Sequence, residues 1–128
     1  MSATDTLGKA RYVNLETFRK NGTGVQTPVW VAQAGNELGI FTNGNSYKVK
    51  RLRRNTSVRI AECGARGGLK GPWHDGTARL VEDNADQQAI LAALRKKYGW
   101  QMMLADIGGR LGGTKKTWAF IAVTVDGA

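Results

Sequence analysis

Tyr12-Val13-Asn14-Leu15-Glu16-Thr17-Phe18-Arg19-Lys20-Asn21-Gly22-Thr23-Gly24-Val25-Gln26-Thr27-Pro28-Val29-Trp30-Val31-Ala32 reads as two strands joined by a tight turn. Tyr12 to Phe18 alternates well enough for the two-residue period of a strand. Asn21-Gly22 tolerates the positive φ that a two-residue hairpin turn demands, so a reversal is expected there. The return strand runs from Val25 to Ala32. Val25, Thr27, Val29 and Val31 share one face, and Gln26, Pro28, Trp30 and Ala32 the other. Pro28 has no N–H to give a ladder, which predicts an edge or a bulge at that point. A Gly35-Asn36-Glu37 turn then leads into a third strand, Leu38 to Thr42, so the three strands are expected to form a meander.

Further along, Ser57 to Cys63 reads as a fourth strand, with Val58 and Ile60 on one side. A glycine-rich loop from Gly64 to Gly71 carries Arg66 and Lys70, and Trp73 to Asp83 is a fifth strand. Asn84 is the expected N-cap of a helix that has Asp86 in its first turn and runs to about Tyr98. Ile90, Leu91, Leu94 and Tyr98 would line its buried side. A Gly-broken, partly helical stretch, Trp100 to Gly113, precedes a last strand from Lys116 to Val125. There Trp118, Phe120 and Ala122 face one way, Ile121 and Val123 the other. Six strands dominated by hairpins, with a short helix after the third, predict a mainly β chain: a small antiparallel barrel rather than a parallel α/β sheet. With 128 residues, no internal repeat and no low-complexity linker, a single domain over 1-128 is expected.

The net charge of +9 and pI near 10.1 call for a negatively charged partner, without saying which. Cys63 is the sole cysteine, so no intrachain disulfide can form and a reducing compartment is the simple reading. No apolar run approaches the roughly 20 residues of a membrane span. Met1 to Gly8 lacks the layout of a secretory signal. A cytoplasmic protein is expected.

The charge has a focus. Phe41-Thr42-Asn43-Gly44-Asn45-Ser46-Tyr47-Lys48-Val49-Lys50-Arg51-Leu52-Arg53-Arg54 runs from an apolar strand through a loop of small polar residues into a short basic helix. Such a loop offers hydroxyls, amides and free backbone N–H groups at the positive end of a helix dipole, a natural seat for phosphate. At about 100° per residue, Val49 and Leu52 fall about 60° apart and form one apolar edge. Lys50, Arg51 and Arg54 fall on the opposite arc, with Lys48 beside Arg51. A solvated helix that only keeps the protein soluble is the plain alternative, and the phosphate-type loop before it favours a binding site.

Five segments in this order resemble a known family. They are Tyr12-Val-Asn-Leu-Glu-Thr-Phe-Arg19, Thr27-Pro-Val-Trp30, Lys48-Val-Lys-Arg-Leu-Arg-Arg-Asn55, Cys63-Gly-Ala-Arg-Gly67 and Gly76-Thr-Ala-Arg-Leu80. Together they look like the pyridoxamine 5′-phosphate oxidase-like split β-barrel proteins, and within them the branch that uses the deazaflavin coenzyme F-420. The resemblance covers roughly Tyr12 to Val125. It implies a six-stranded split barrel of the FMN-binding type, a homodimer, and a cofactor in a groove at the dimer interface. FMN-binding members hold the phosphate with an arginine on the strand that here reads Val25-Gln-Thr-Pro-Val-Trp30, and with a Ser/Lys segment after the next strand. This chain keeps the second element as Ser46-Tyr47-Lys48 and has Gln26 and Thr27 in place of the first. That departure favours F-420, whose phospholactyl group and oligoglutamate tail carry many negative charges, over FMN. Carried over by position, Thr42, Ser46 and Lys48 would contact the phosphate, and Lys50 and Arg51 the tail, with Arg54 extending the basic row. Gln26, Thr27 and Pro28 would run beside the ring with Trp30 near it, and Gly71 and Trp73 would form the far wall.

The resemblance thus implies a coenzyme F-420-dependent reductase, an oxidoreductase passing a hydride to an electron-poor small molecule such as an enone or a quinone-like acceptor. The hard chemistry belongs to the cofactor. Tyr47 and His74 are the only candidates for a catalytic acid, and a strand histidine facing solvent is the plain reading of His74. Cys63 reads as a small packing residue. Trp30, Trp73, Trp100 and Trp118 read mostly as core, with one or two free to stack on a ligand. The 64–71 loop is read equally as an anion-closing loop or a bare hairpin. No metal-ligand spacing, phosphate-binding Walker loop or nucleophile motif is present, so no metal site is expected. Two other functions remain open: a split barrel binding FMN, FAD or haem, and a basic nucleic-acid-binding barrel. The latter should interleave aromatics with cations along a strand face, whereas here the cations cluster on a helix with only Tyr47 adjacent.

Overall fold

The computed structural model describes residues 3–43, 47–99 and 118–126. In chain order the elements are α1 (Ala3–Lys9), β1 (Tyr12–Phe18), β2 (Gly24–Val29), β3 (Ala32–Ala34), β4 (Glu37–Asn43), α2 (Tyr47–Arg54), β5 (Ser57–Cys63), β6 (His74–Val81), α3 (Asn84–Tyr98) and β7 (Trp118–Val125). The strands make one antiparallel sheet in the order β2-β1-β5-β6-β7-β4-β3. The class is mainly β, as the alternation predicts, with seven strands among the described residues rather than six.

The extra strand comes from a break at Trp30-Val31, and the same break closes the barrel. β2 and β3 are consecutive in the chain yet lie at opposite edges of the sheet. Laid flat, those edges would be about 29 Å apart, at roughly 4.8 Å per strand. The chain from Val29 to Ala32 can reach only about 11 Å. The sheet therefore curls until its edges meet. The expected meander fails at this point, because β2 pairs only with β1 while β3 pairs with β4. Its cause is a set of side chains far along the sequence. Tyr98 Oη accepts from Val31 N at 3.0 Å and donates to Arg11 O at 2.7 Å. Lys97 Nζ donates to Val31 O at 2.6 Å and to Gly8 O at 2.8 Å, and also to Ala10 O. Val31 thus spends its backbone groups on α3 and leaves the ladder. Pro28 does sit on an edge strand, where its missing N–H costs no ladder bond.

One core fills the barrel. Val13 and Leu15 of β1, Leu38 and Ile40 of β4, Val58 and Ile60 of β5, Ala78 of β6, and Ile121 and Val123 of β7 are its main members, joined by Leu7 of α1 and Leu52 of α2. A second core lies outside, where Ile90, Leu91, Leu94 and Tyr98 of α3 cover Ala32, Val81, Phe120 and Ala122. β7 serves both, with Ile121 and Val123 inward and Phe120 and Ala122 under the helix. The N-cap of α3 is Asp83 rather than Asn84: its carboxylate accepts from Asp86 N at 3.1 Å. Gly99 ends the helix at φ +57°, and its N–H returns to Arg95 O at 2.9 Å. α1 has no counterpart in the sequence reading; seven residues including Gly8 carry little helical signal, and Leu7 in the barrel core anchors it. The expected fifth strand is shorter, beginning at His74 and ending at Val81. The stretch 100–113 lies outside the described residues, as do Lys116 and the side chain of Trp118. Among the described residues no helix is long and apolar enough to cross a membrane.

Candidate functional site

The basic segment forms the expected helix. Val49 and Leu52 are 1 % and 2 % exposed and dock α2 against the barrel, while Lys50, Arg53 and Arg54 stay in solvent. Straight-chain residues suit a helix, and the cations of its last turn sit favourably at the negative end of the dipole. Beside it lies a cavity of about 440 Å³ lined by Arg19, Tyr47, Lys50, Arg51 and Arg54. No carboxylate is among those residues. The described ion pairs, Arg59–Glu16, Arg79–Glu37 and Arg79–Asp86, lie elsewhere. Arg51 reaches Thr17 Oγ1 at 3.3 Å, and burial, followed by the charges of Arg19 and Arg54, pushes its pKa down. Lys50 Nζ stands 5.2 Å from the Tyr47 ring centroid, and Tyr47 is 73 % exposed. Four like charges around one space repel each other unless an anion lies between them.

Lys48 is half-buried, and its pKa is lowered by burial and then by Arg51. Thr42 is part-buried near the end of β4, opposite Ala119. Ser46 lies outside the described residues. The structure thus gathers Tyr47, Lys50, Arg51 and Arg54 around one cavity, and adds Arg19, which the sequence reading did not single out. Arg19 comes just after β1, and its approach to α2 depends on how α2 docks against β1.

The residues expected beside a ring divide differently. Register pairs Thr27 with Leu15, whose side chain is in the barrel core, so Thr27 points inward. Gln26 and Pro28 point outward, opposite Glu16 and Asn14. On that outer face Gln26 Nε2 donates to Glu16 Oε2 at 3.1 Å, and Arg59 Nε to Glu16 Oε1 at 2.6 Å. The Arg59 guanidinium lies 4.6 Å from the Trp73 ring centroid. Glu16 is only 6 % exposed; desolvation pushes its pKa up, but the bonds from Arg59 and Gln26 and the charge of Arg59 outweigh it and hold the carboxyl below its usual range. Trp73 therefore joins Gln26 in one polar network. Trp30 goes elsewhere, stacked on Tyr98 at 4.5 Å and 9° and edge-on to Phe41 in the helix-side core. A Cβ at Gly71 would meet only Glu62 Cβ at 3.7 Å, so no close approach demands glycine there.

His74 pairs with Ile60 across the ladder and lines neither described cavity. Cys63 is buried, and burial pushes its thiol pKa up, as befits a packing residue. The 64–71 loop is an internally bonded hairpin: Gly64 N bonds Gly68 O, Gly67 N bonds Gly64 O, and Lys70 N bonds Glu62 O, each at 2.9 Å. A second cavity, about 390 Å³, lies between the β3–β4 turn and α3, with Leu38, Gly39, Ile90 and Ala122 below the Arg79–Glu37 pair.

A family model described as pyridoxamine 5′-phosphate oxidase matches residues 3–126. No curated protein matches the chain by sequence. Among solved structures it is similar to the conserved hypothetical protein Rv2991 from Mycobacterium tuberculosis, at 19 % identity over 98 % of this chain and 81 % of that one, TM-score 0.73. It is also similar to HutZ, the haem storage protein of Vibrio cholerae, at 12 % identity over 92 % and 83 %, TM-score 0.67. An FAD-binding protein from Mesorhizobium loti aligns at 21 % identity over 98 % and 89 %, TM-score 0.63. At these identities the likeness shows the fold, a split barrel.

Proposed function

The chain belongs to the pyridoxamine 5′-phosphate oxidase family, and from that premise we propose that it is a deazaflavin (coenzyme F-420)-dependent reductase acting on an electron-poor small molecule. One observation carries the reading: Arg19, Lys50, Arg51 and Arg54 line a single cavity with no carboxylate among its described lining residues. A lone phosphate needs fewer cations than that, whereas an oligoglutamate tail supplies a carboxylate for each. The donor set therefore fits this coenzyme. Lys48, half-buried and cationic, is suited to the phosphate, and the resemblance adds Thr42 and Ser46 as its further contacts. Gln26 and Pro28, with Trp73 across the sheet face, would flank the ring.

When bound and reduced, the deazaflavin supplies a hydride to the acceptor. This chain's residues bind, orient and exclude water around it. Arg19, Lys50, Arg51 and Arg54 fix the tail and steer association electrostatically. Tyr47 is the candidate proton source nearer the cations, and we assign His74 no contact with them. The protein works as a homodimer with the cofactor at the interface, in the cytoplasm. FMN, FAD or haem in the same groove is the second reading; for the flavins it is favoured by Lys48, which can hold a single phosphate with Arg51.

A paired titration of the apo protein with the deazaflavin coenzyme and FMN, with haem alongside, tests the proposal. It follows tryptophan fluorescence and melting temperature. A tight deazaflavin response with little from FMN is expected. A preference for FMN or haem would move the assignment to that ligand.

A further inference from the structure

Asn14 is 3 % exposed and sits on the outer face of β1, between Pro28 of β2 and Ala61 of β5. Its Nδ2 donates to Gly67 O at 3.0 Å, while its Oδ1 is enclosed and has no hydrogen-bond partner among the described residues. The immediate neighbours have nothing to give it. Pro28 lacks any donor, the Ala61 side chain is a methyl, and the Gly67 N–H is already committed to Gly64 O. A buried carboxamide oxygen left without a donor is rare in folded proteins and calls for an explanation. In the next row of the same face, both carboxylate oxygens of the buried Glu16 have donors, from Gln26 Nε2 and Arg59 Nε. The orphan atom is thus a local exception on a face closed to solvent, with Asn14 3 % and Ala61 0 % exposed.

We propose that Asn14 Oδ1 is a ligand contact that accepts a hydrogen bond from the ring N–H of a flat heterocycle whose edge enters beside the part-exposed Pro28. This rests on the deazaflavin reading, under which the donor is the imide N–H of the ring. The tip of the 64–71 hairpin lies against the Asn14 carboxamide, and its own bonds hold it together: Gly64 N to Gly68 O, and a bridge between Cys63 and Leu69. The Asn14–Gly67 bond ties that tip to the sheet face. Gly67, at φ +89°, lies close to Pro28 and Asn14; a Cβ there would come 3.4 Å from Pro28 Cγ. A ring edge entering beneath the tip exchanges the Gly67 contact for its own and gives Oδ1 its donor.

The test compares the coenzyme with its N3-methyl derivative, read as dissociation constants by tryptophan fluorescence. Wild-type protein should bind the parent on the order of tenfold more tightly, the loss expected when a buried acceptor stays unpaired. The preference should collapse in Asn14→Leu. It should survive in Asn14→Asp, which keeps an acceptor while losing the donor to Gly67 and adding a negative charge. Equal binding of both ligands by wild type, or an undiminished preference in Asn14→Leu, overturns the contact and leaves the cofactor reading standing. No binding of the parent coenzyme overturns both. If Asn14→Leu does not fold, the Asn14 side-chain amide resonance of wild type decides. It should shift with the parent and not with the methylated ring, and an unmoved resonance overturns the contact.

Discussion

Neutralising Arg19 and Lys50 together is the sharpest test of the tail site. Both line the cavity and both are exposed, so neither holds the core. Arg51 is better spared, because it donates to the buried Thr17 and its loss would loosen α2. Arg19→Gln with Lys50→Gln removes two of the four cations while keeping both side chains polar and flexible. An exposed ion pair is worth about 0.2–1 kcal/mol, so the double variant should lose about 0.4–2 kcal/mol of coenzyme binding. At 1.4 kcal/mol per decade that is about two- to thirtyfold in Kd. The loss should depend on salt, since the Debye length falls from about 30 Å at 0.01 M to about 3 Å at 1 M. Fluorescence titrations at the two salt concentrations, with FMN as a ligand lacking the tail, supply the measurement. At high salt the variant and wild type should agree within about twofold, and FMN should be less affected at either salt. An equal loss at both concentrations, or none at low salt, would refute the electrostatic account of the cavity.

The remaining predictions concern the two faces of α3. A Cβ on Gly39 would stand 2.7 Å from Ile90 Cγ2, so Gly39→Ala should destabilise by about 1–3 kcal/mol, as overpacking does. Urea denaturation should show the double variant with Ile90→Ala losing less than the sum of the single losses. Lys97, pushed down to about 8 by burial and then by Arg11, binds its proton less well in the folded chain than in the unfolded one. Between pH 8 and about 10.4 the unfolded chain therefore holds more protons and stability rises with pH. Lys48, also lowered, adds in the same direction, while Tyr98, raised by its burial, reverses the trend above about pH 10. Thermal melts of Lys97→Met should show a clearly flatter rise between pH 8 and 10, and an unchanged slope would refute the assignment.

Local chemistry made much of this molecule legible. The alternation from Tyr12 to Phe18 and from Ser57 to Cys63 gave strands with those same bounds. The spacing of Val49 and Leu52 gave the docked edge of α2, and Pro28 announced an edge. What escaped depends on partners distant in sequence. Nothing in Trp30-Val31 signals that Lys97 and Tyr98, some 66 residues on, will take Val31's carbonyl and N–H. For the same reason Trp30, whose alternation puts it beside Pro28, turns instead onto Tyr98. At the site, the cations of α2 were legible as one cluster because helical spacing fixes them. Arg19 was not, since only the docking of α2 on β1 sets it near Arg51.

β1 joins the two halves of the proposed site. Its outward residues, Asn14 and Glu16, carry the orphan acceptor and the carboxylate that organises Gln26 and Arg59. Its inward Thr17 holds Arg51, and Arg19 just beyond it lines the cationic cavity. Because strand side chains alternate strictly, one register fixes all four at once. A slip by a single residue would bury Asn14 and Glu16 in the barrel and turn Leu15 out. The apolar core formed by Val13 and Leu15, both 0 % exposed, forbids that slip. The packing that stabilises the barrel is therefore also what sets the proposed ring-facing and tail-facing groups at a fixed offset.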